Sequence, residues 1–154
     1  MIVLLLALLI GVVAGLRTFT APAVVSWAAY LGWLPLGNTA LAFLGSVWAV
    51  GILSVMVIVE SVVDQLPSTA SRTVPMQFGA RIITAAISGA AIGAPAGWLI
   101  VGGIAGIVGA VIGTLGGHAA RTKFAATFRK DPPAALIEDA AAILAAFVIV
   151  MVLR

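Results

Sequence analysis

The ionisable side chains with the placement to do chemistry are Arg17, Glu60, Asp64, Arg81, His118, Arg121, Glu138 and Asp139. Glu60 and Asp64 are four residues apart, hence on one face of a helix, and they close a long apolar run. Carboxylates held at such a depth are costly and mark ion or proton pathways, or else pair with arginine. Asp64 equally fits a solvated place at the edge of the run. Glu60 is deeper, since Ser61, Val62 and Val63 still follow it. Arg17 and Arg81 share a local pattern, Gly15-Leu16-Arg17-Thr18-Phe19-Thr20-Ala21 against Gly79-Ala80-Arg81-Ile82-Ile83-Thr84-Ala85. Each is expected at the entrance of a helix, where positive partial charge and free N–H groups would let an arginine help hold an anion or a carboxylate. The match reads either as a trace of internal duplication, of the kind found in small transporters, or as two arginines that snorkel to an interface. His118 and Arg121 close a glycine-rich run, and Glu138 and Asp139 open the next. Bases at a helix end and acids at a helix start complement the helix dipole. Glu138 is also placed to face Arg121 or Arg81, and His118 fits a capped interfacial histidine better than a proton relay.

The elements that must position these groups are written in the gaps between them. No Asp, Glu, Lys or Arg occurs at 1–16, 18–59, 82–120 or 140–153, and the 154-residue chain is 63% hydrophobic, with a mean hydropathy of +1.26. About 20 apolar residues in a helix cross the hydrocarbon layer, and only helices or closed barrels satisfy their backbone groups there. The runs are continuous rather than alternating, so the expectation is an all-α polytopic membrane protein of five or six transmembrane helices, in one domain covering 1–154. The formal charge of +3 lies in short loops beside apolar runs, where it sets topology and does not point to nucleic acid. With no cysteine and one histidine, neither a thiolate nor a multi-histidine metal centre can be built within one subunit, and no cofactor is expected.

The helical segments are expected at about 2–16, 20–36, 40–63, 78–93, 97–120 and 134–153. The first lacks the basic start of a signal peptide and reads as a retained helix. The block 2–36 is either one long tilted helix with Arg17 near mid-membrane or two short helices meeting at Arg17. Thr20 with Pro22 looks like a capped helix start, and the hairpin is favoured because it gathers Arg17 with the other charges on one side. Gly37-Asn38 and 93–97 are turns, and 65–77 and 122–133 are loops. The basic loop with Arg121, Lys123, Arg129 and Lys130 belongs on the cytoplasmic side, and 65–77 with it. Under the hairpin reading Arg17 joins them, which leaves Arg154 as the only charge outside. Gly102, Gly106, Gly109, Gly113 and Gly117 share one helix face, with Gly89, Gly93 and Gly97 as a second run, and such faces allow close helix packing. A glycine face this long suggests burial against a second subunit as well, hence a homo-oligomer.

Gly15-Leu16-Arg17 in the first apolar block, Glu60 with Asp64-Gln65-Leu66-Pro67 closing the next, and Arg81 opening the Gly/Ala-rich hairpin resemble the bacterial membrane family known as domain of unknown function 4126. The resemblance covers about 11–139. After Pro67 the family pattern has further acidic residues where this chain has Ser68, Thr69 and Ser71. The resemblance implies a multi-pass protein of the bacterial inner membrane, in contact with the lipid bilayer, and supplies no activity or substrate.

The residues support binding or passage of a small solute or ion first, with Glu60 and Glu138 as coupling or gating carboxylates and Arg17, Arg81 and Arg121 as their partners or as anion ligands. An enzyme acting on lipid headgroups would use the same arginines for phosphate and Glu60 or His118 as base. A structural or assembly protein would need only the glycine face. No Walker loop, zinc motif or nucleophile elbow is present.

Overall fold

The computed structural model describes the backbone at 1–66, 74–128 and 131–154, and the side chains of these residues except 128 and 131–134. The stretch after Leu66 that holds Ser68, Thr69, Ser71 and Arg72 lies outside the described residues, as do Arg129 and Lys130. Among the described residues there are six α-helices and no strand: α1 (Ile2–Leu16), α2 (Thr20–Tyr30), α3 (Val47–Val63), α4 (Pro75–Gly93), α5 (Leu99–Phe128) and α6 (Asp131–Leu153). Three stretches are long and apolar enough to cross a membrane: Pro75–Ala96, Leu99–Thr127 and Ala135–Leu153. The chain is a polytopic helical membrane protein.

Several boundaries differ from the sequence expectation, each for a local reason. The second helix stops at Tyr30 rather than near residue 36, because Gly32 takes a left-handed φ of 77° and turns the chain. A single 3-10 turn, Ala42–Gly45, fills the start of the expected third segment, and α3 begins only at Val47, where the Ser46 hydroxyl accepts from the Ala49 N–H at 3.1 Å. The stretch expected as the loop 122–133 is helical to Phe128. Its alanines favour helix, and no glycine or proline intervenes before Pro132. Pro132 and Pro133 fall in the first turn of α6, where a missing N–H costs nothing.

Glycine decides the packing. A Cβ on Gly11 or Gly15 would strike the backbone of α5 around Gly106, Ala110 and Gly113, and one on Gly109 or Gly113 would strike α1 at Leu8 and Val12. Those pairings rise together in number, so α1 and α5 run side by side in the same direction. On its other flank α5 meets α4, with Gly89 against Gly102 and Gly106, and Gly93 against Trp98 and Gly102. These pairings run in opposite senses, as the tight turn at Ala94–Ala96, closed by Gly97 at φ 77°, requires. The glycine faces at 102, 106, 109 and 113 are thus filled by helices of the same chain, and they supply no argument for a second subunit.

The hairpin reading of 2–30 fits the geometry. The Arg17 side chain lies beside Asp139, while the Arg154 guanidinium stacks on Trp33, just past the end of α2, at 5.4 Å. Asp139 and Arg154 stand near opposite ends of α6, about 22 Å apart at helical rise. So α2 runs along α6 and returns to the end of the bundle where α1 began. With 15 and 11 residues, the two arms reach only about 22 and 16 Å, short of a layer of about 30 Å. Their tip, at 17–19, ends inside the bundle, while α5 continues 14 residues past Thr114, the residue level with Gly15.

Candidate functional site

A chain break inside an apolar bundle leaves helix ends with unsatisfied N–H and C=O groups, tolerable there only where protein supplies partners. The tip meets this demand from three other helices, α3, α4 and α5. At the end of α1, the Gly15 carbonyl accepts from Arg81 Nη1 of α4 at 2.5 Å and from Thr114 Oγ1 of α5 at 3.2 Å. At the start of α2, Glu60 of α3 accepts from the Thr18 N–H at 2.5 Å and from the Phe19 N–H at 3.2 Å. A cation thus caps the negative end of one half-helix and a carboxylate caps the positive start of the other.

Arg17 lies between these caps, 1% exposed. Its Nε is 3.8 Å from Glu60 Oε2 and 3.6 Å from Asp139 Oδ1 of α6. Its Nη2 donates to the Ser61 hydroxyl at 2.5 Å, which in turn donates to the Val57 carbonyl at 2.8 Å. One guanidinium therefore ties α3 and α6 to the tip. The capping group at α2 is Glu60 rather than Thr20: Thr20 is the first helical residue, no side chain of its own turn caps the helix, and the buried Thr20 hydroxyl has no hydrogen-bond partner among the described residues.

The structure brings Arg17, Glu60, Arg81 and Asp139 together. Asp64 sits one turn beyond Glu60 at the C-cap of α3. Glu60, Asp64 and Arg81 line one open pocket of about 280 Å³ with Thr18, Gln77 and Met56, between α3 and α4. On the other flank of the tip, Arg121 and Glu138 line a second pocket of about 200 Å³ with Leu16, Gly117 and Phe124, between α5 and α6. His118 is exposed on α5, away from both. Arg81 is not at a helix entrance as expected but six residues into α4, and 79–85 is continuous helix, whereas 15–21 holds the break. The shared pattern is therefore not matched by a shared backbone. No group of three or more His, Cys, Asp or Glu positioned for a metal occurs among the described residues.

Sequence reasoning missed Thr114 and Ser61. A signal for the first was present: Thr114 is the only polar side chain between Leu99 and Gly117, and a buried hydroxyl in an apolar run must find an acceptor. Ser61 gave no such sign, since serines near a helix end satisfy themselves on their own backbone, as Ser61 also does.

A half-helix hairpin capped by charges inside an apolar bundle defines a multi-pass membrane protein with a charged, partly open internal site. The chain belongs to the family described as Domain of unknown function (DUF4126), whose model matches residues 4–152. Neither a curated protein nor a solved structure matches it.

Proposed function

We propose that the protein binds a small solute or ion in the pocket between α3 and α4 and passes it across the membrane, with the α1–α2 tip as the responsive part. One observation carries this reading: Glu60 both lines the open pocket and holds the Thr18 and Phe19 N–H groups at the turn into α2. A ligand that competes for Glu60 therefore acts on the hairpin directly. Transporters place sites at the ends of broken helices in this manner, where half-helix dipoles and freed backbone groups face the solute. Arg17 and Asp139 would hold the tip in register, with Asp64 as the second acid of the pocket. Arg121 and Glu138 would act at the pocket on the other flank. The basic residues of α5 put the open side in the cytoplasm of a bacterial cell, with the inner membrane as the location.

Cysteine accessibility in membrane vesicles of each orientation tests this. Gln77→Cys, in the pocket, should react with a membrane-impermeant thiol reagent from the cytoplasmic face. Ser46→Cys, farther along the same side of α3, should react from the opposite face. Failure of either position to react from its own face would refute passage by this route.

A further inference from the structure

Although α3 and α4 follow one another in the chain, they stand apart; α3 packs on α2 and on the turn Ala42–Gly45. The space between them is a groove over α2 with two parts that share Phe19 as a lining residue. The longer part, about 410 Å³, is bounded by Pro22, Leu44, Trp48, Leu53 and Ile87 and is almost wholly apolar. The shorter part is the pocket of about 280 Å³ that holds Glu60, Asp64, Gln77 and Arg81. Asp64 Oδ2 is shielded from solvent and meets no hydrogen-bond donor among the described residues. Two carboxylates and one arginine line this end, and that arginine already donates to the Gly15 carbonyl. The groove is therefore apolar along its length and carries charge of both signs where α3 ends, with Asp64 Oδ2 as the oxygen that lacks a donor.

We propose that this groove binds a lipid with an ammonium headgroup, of the phosphatidylethanolamine class. One acyl chain lies along Leu44, Trp48 and Ile87, and the ammonium group sits at Asp64 and Glu60. The proposal rests on the reading of the Glu60 pocket as a ligand site and takes a lipid, rather than a small solute or ion, as the ligand held there. The ammonium of the headgroup would meet Asp64 and its phosphate would meet Arg81, whereas a phosphatidylglycerol headgroup brings a phosphate but no cation for Asp64. A small amine alone would leave the larger, apolar part empty, whereas a lipid fills both parts and takes its burial energy from the chain. The acid-bearing end of α3 and the positive-inside orientation place the headgroup at the cytoplasmic surface, with the chain directed toward the bilayer centre, as in a lipid of that leaflet.

The test uses the full-length protein in a neutral detergent. After delipidation it receives an equimolar mixture of phosphatidylethanolamine and phosphatidylglycerol, and retained lipid is counted by native mass spectrometry. One phosphatidylethanolamine should be retained in clear preference to phosphatidylglycerol. Asp64→Asn should weaken that retention about tenfold, the loss of one charge-assisted hydrogen bond. Ile87→Trp, which fills the apolar part, should reduce it further, while Ile100→Trp, exposed on α5 and away from the groove, should leave it unchanged. Equal retention of the two lipids, or no effect of Asp64→Asn in a protein that still elutes as a folded species, would overturn the lipid. The two readings fail separately: Gln77→Cys that reacts normally in a protein without lipid preference leaves the pocket standing without its lipid.

Discussion

Replacing Arg17 by glutamine should injure the fold more than any other change of one charge at the tip. Its guanidinium is the cation between Glu60 and Asp139, at 3.8 and 3.6 Å. Without it, two carboxylates face each other in a site from which water is largely excluded. Breaking a buried pair by removing one partner costs about 3–5 kcal/mol. Glu60→Gln is milder, because Arg17 keeps Asp139 and the amide oxygen still accepts one of the two backbone N–H groups. Its cost is that of a charge-assisted hydrogen bond, about 1.5–3 kcal/mol. The double substitution removes the like-charge contact, since Asp139 alone of the two stays ionised. It should therefore fall short of the sum of the singles by about 0.5–3 kcal/mol, the range for residues in contact. Unfolding of the purified protein by sodium dodecyl sulfate, followed by far-ultraviolet circular dichroism, measures all three variants against the parent. The same cycle between Glu60 and Arg81 should give a smaller coupling, since Arg81 Nη1 is given to the Gly15 carbonyl. Additive losses for Arg17 and Glu60, or a Glu60→Gln variant as unstable as Arg17→Gln, would refute the arrangement.

Two further outcomes follow from packing and topology. Gly109→Ala should destabilise the protein, because its Cβ would fall on the backbone of α1 at Leu8 and Val12. Gly51→Ala, with open space around it, should be neutral or stabilise by up to about 1 kcal/mol through helix propensity; equal destabilisation by both in the same unfolding assay would contradict the packing. Thr127→Cys should react with an impermeant thiol reagent only from the cytoplasmic face and Asn38→Cys only from the other, and the reverse pattern would invert the orientation.

The membrane class and the gathering of charge at one level were legible because apolar length and the cost of burying charge act locally on the sequence. The hairpin break was legible in Arg17 and Pro22 for the same reason. The pairing was not. Asp139 and Glu138 are neighbours in sequence, but they point about 100° apart on a helix. Depth points to Glu138 beside Arg121 or Arg81, and Glu138 and Arg121 line one pocket, but the phase of α6 that turns Asp139 to Arg17 is not visible in sequence. Arg81 was expected to seek a carboxylate or an anion, and its Nη1 instead donates to a carbonyl that exists as an acceptor only because α1 stops at Leu16. The spacing of the glycine stripe is legible in sequence, and Gly102, Gly106, Gly109 and Gly113 meet other helices of the chain. Its occupant depended on α1 running parallel to α5, and that direction is set by tertiary structure.

The two arms of the hairpin are held by different physics. α1 lies backbone to backbone on α5 at Gly11, Gly15, Gly109 and Gly113, and a contact of that closeness cannot shift without clashing along its whole length. The arm α2 is held by side chains. Ser26 donates to the Leu44 carbonyl, Trp27 donates to Ser54 at 3.1 Å, and Glu60 receives the Thr18 and Phe19 N–H groups at the turn into it. Hydrogen bonds of this kind break singly and have alternative partners in a polar ligand, which glycine packing does not. The hinge between the arms is the segment 17–19, in extended and turn conformation, and the charge that holds it closed is the one that borders the pocket. A ligand of the kind proposed, in drawing Glu60 away, would loosen α2 while α1 stayed fixed. The asymmetry makes the re-entrant arm, rather than the whole hairpin, the element through which the pocket can communicate with the far end of the bundle, where α2 hands the chain to Trp33 and Arg154.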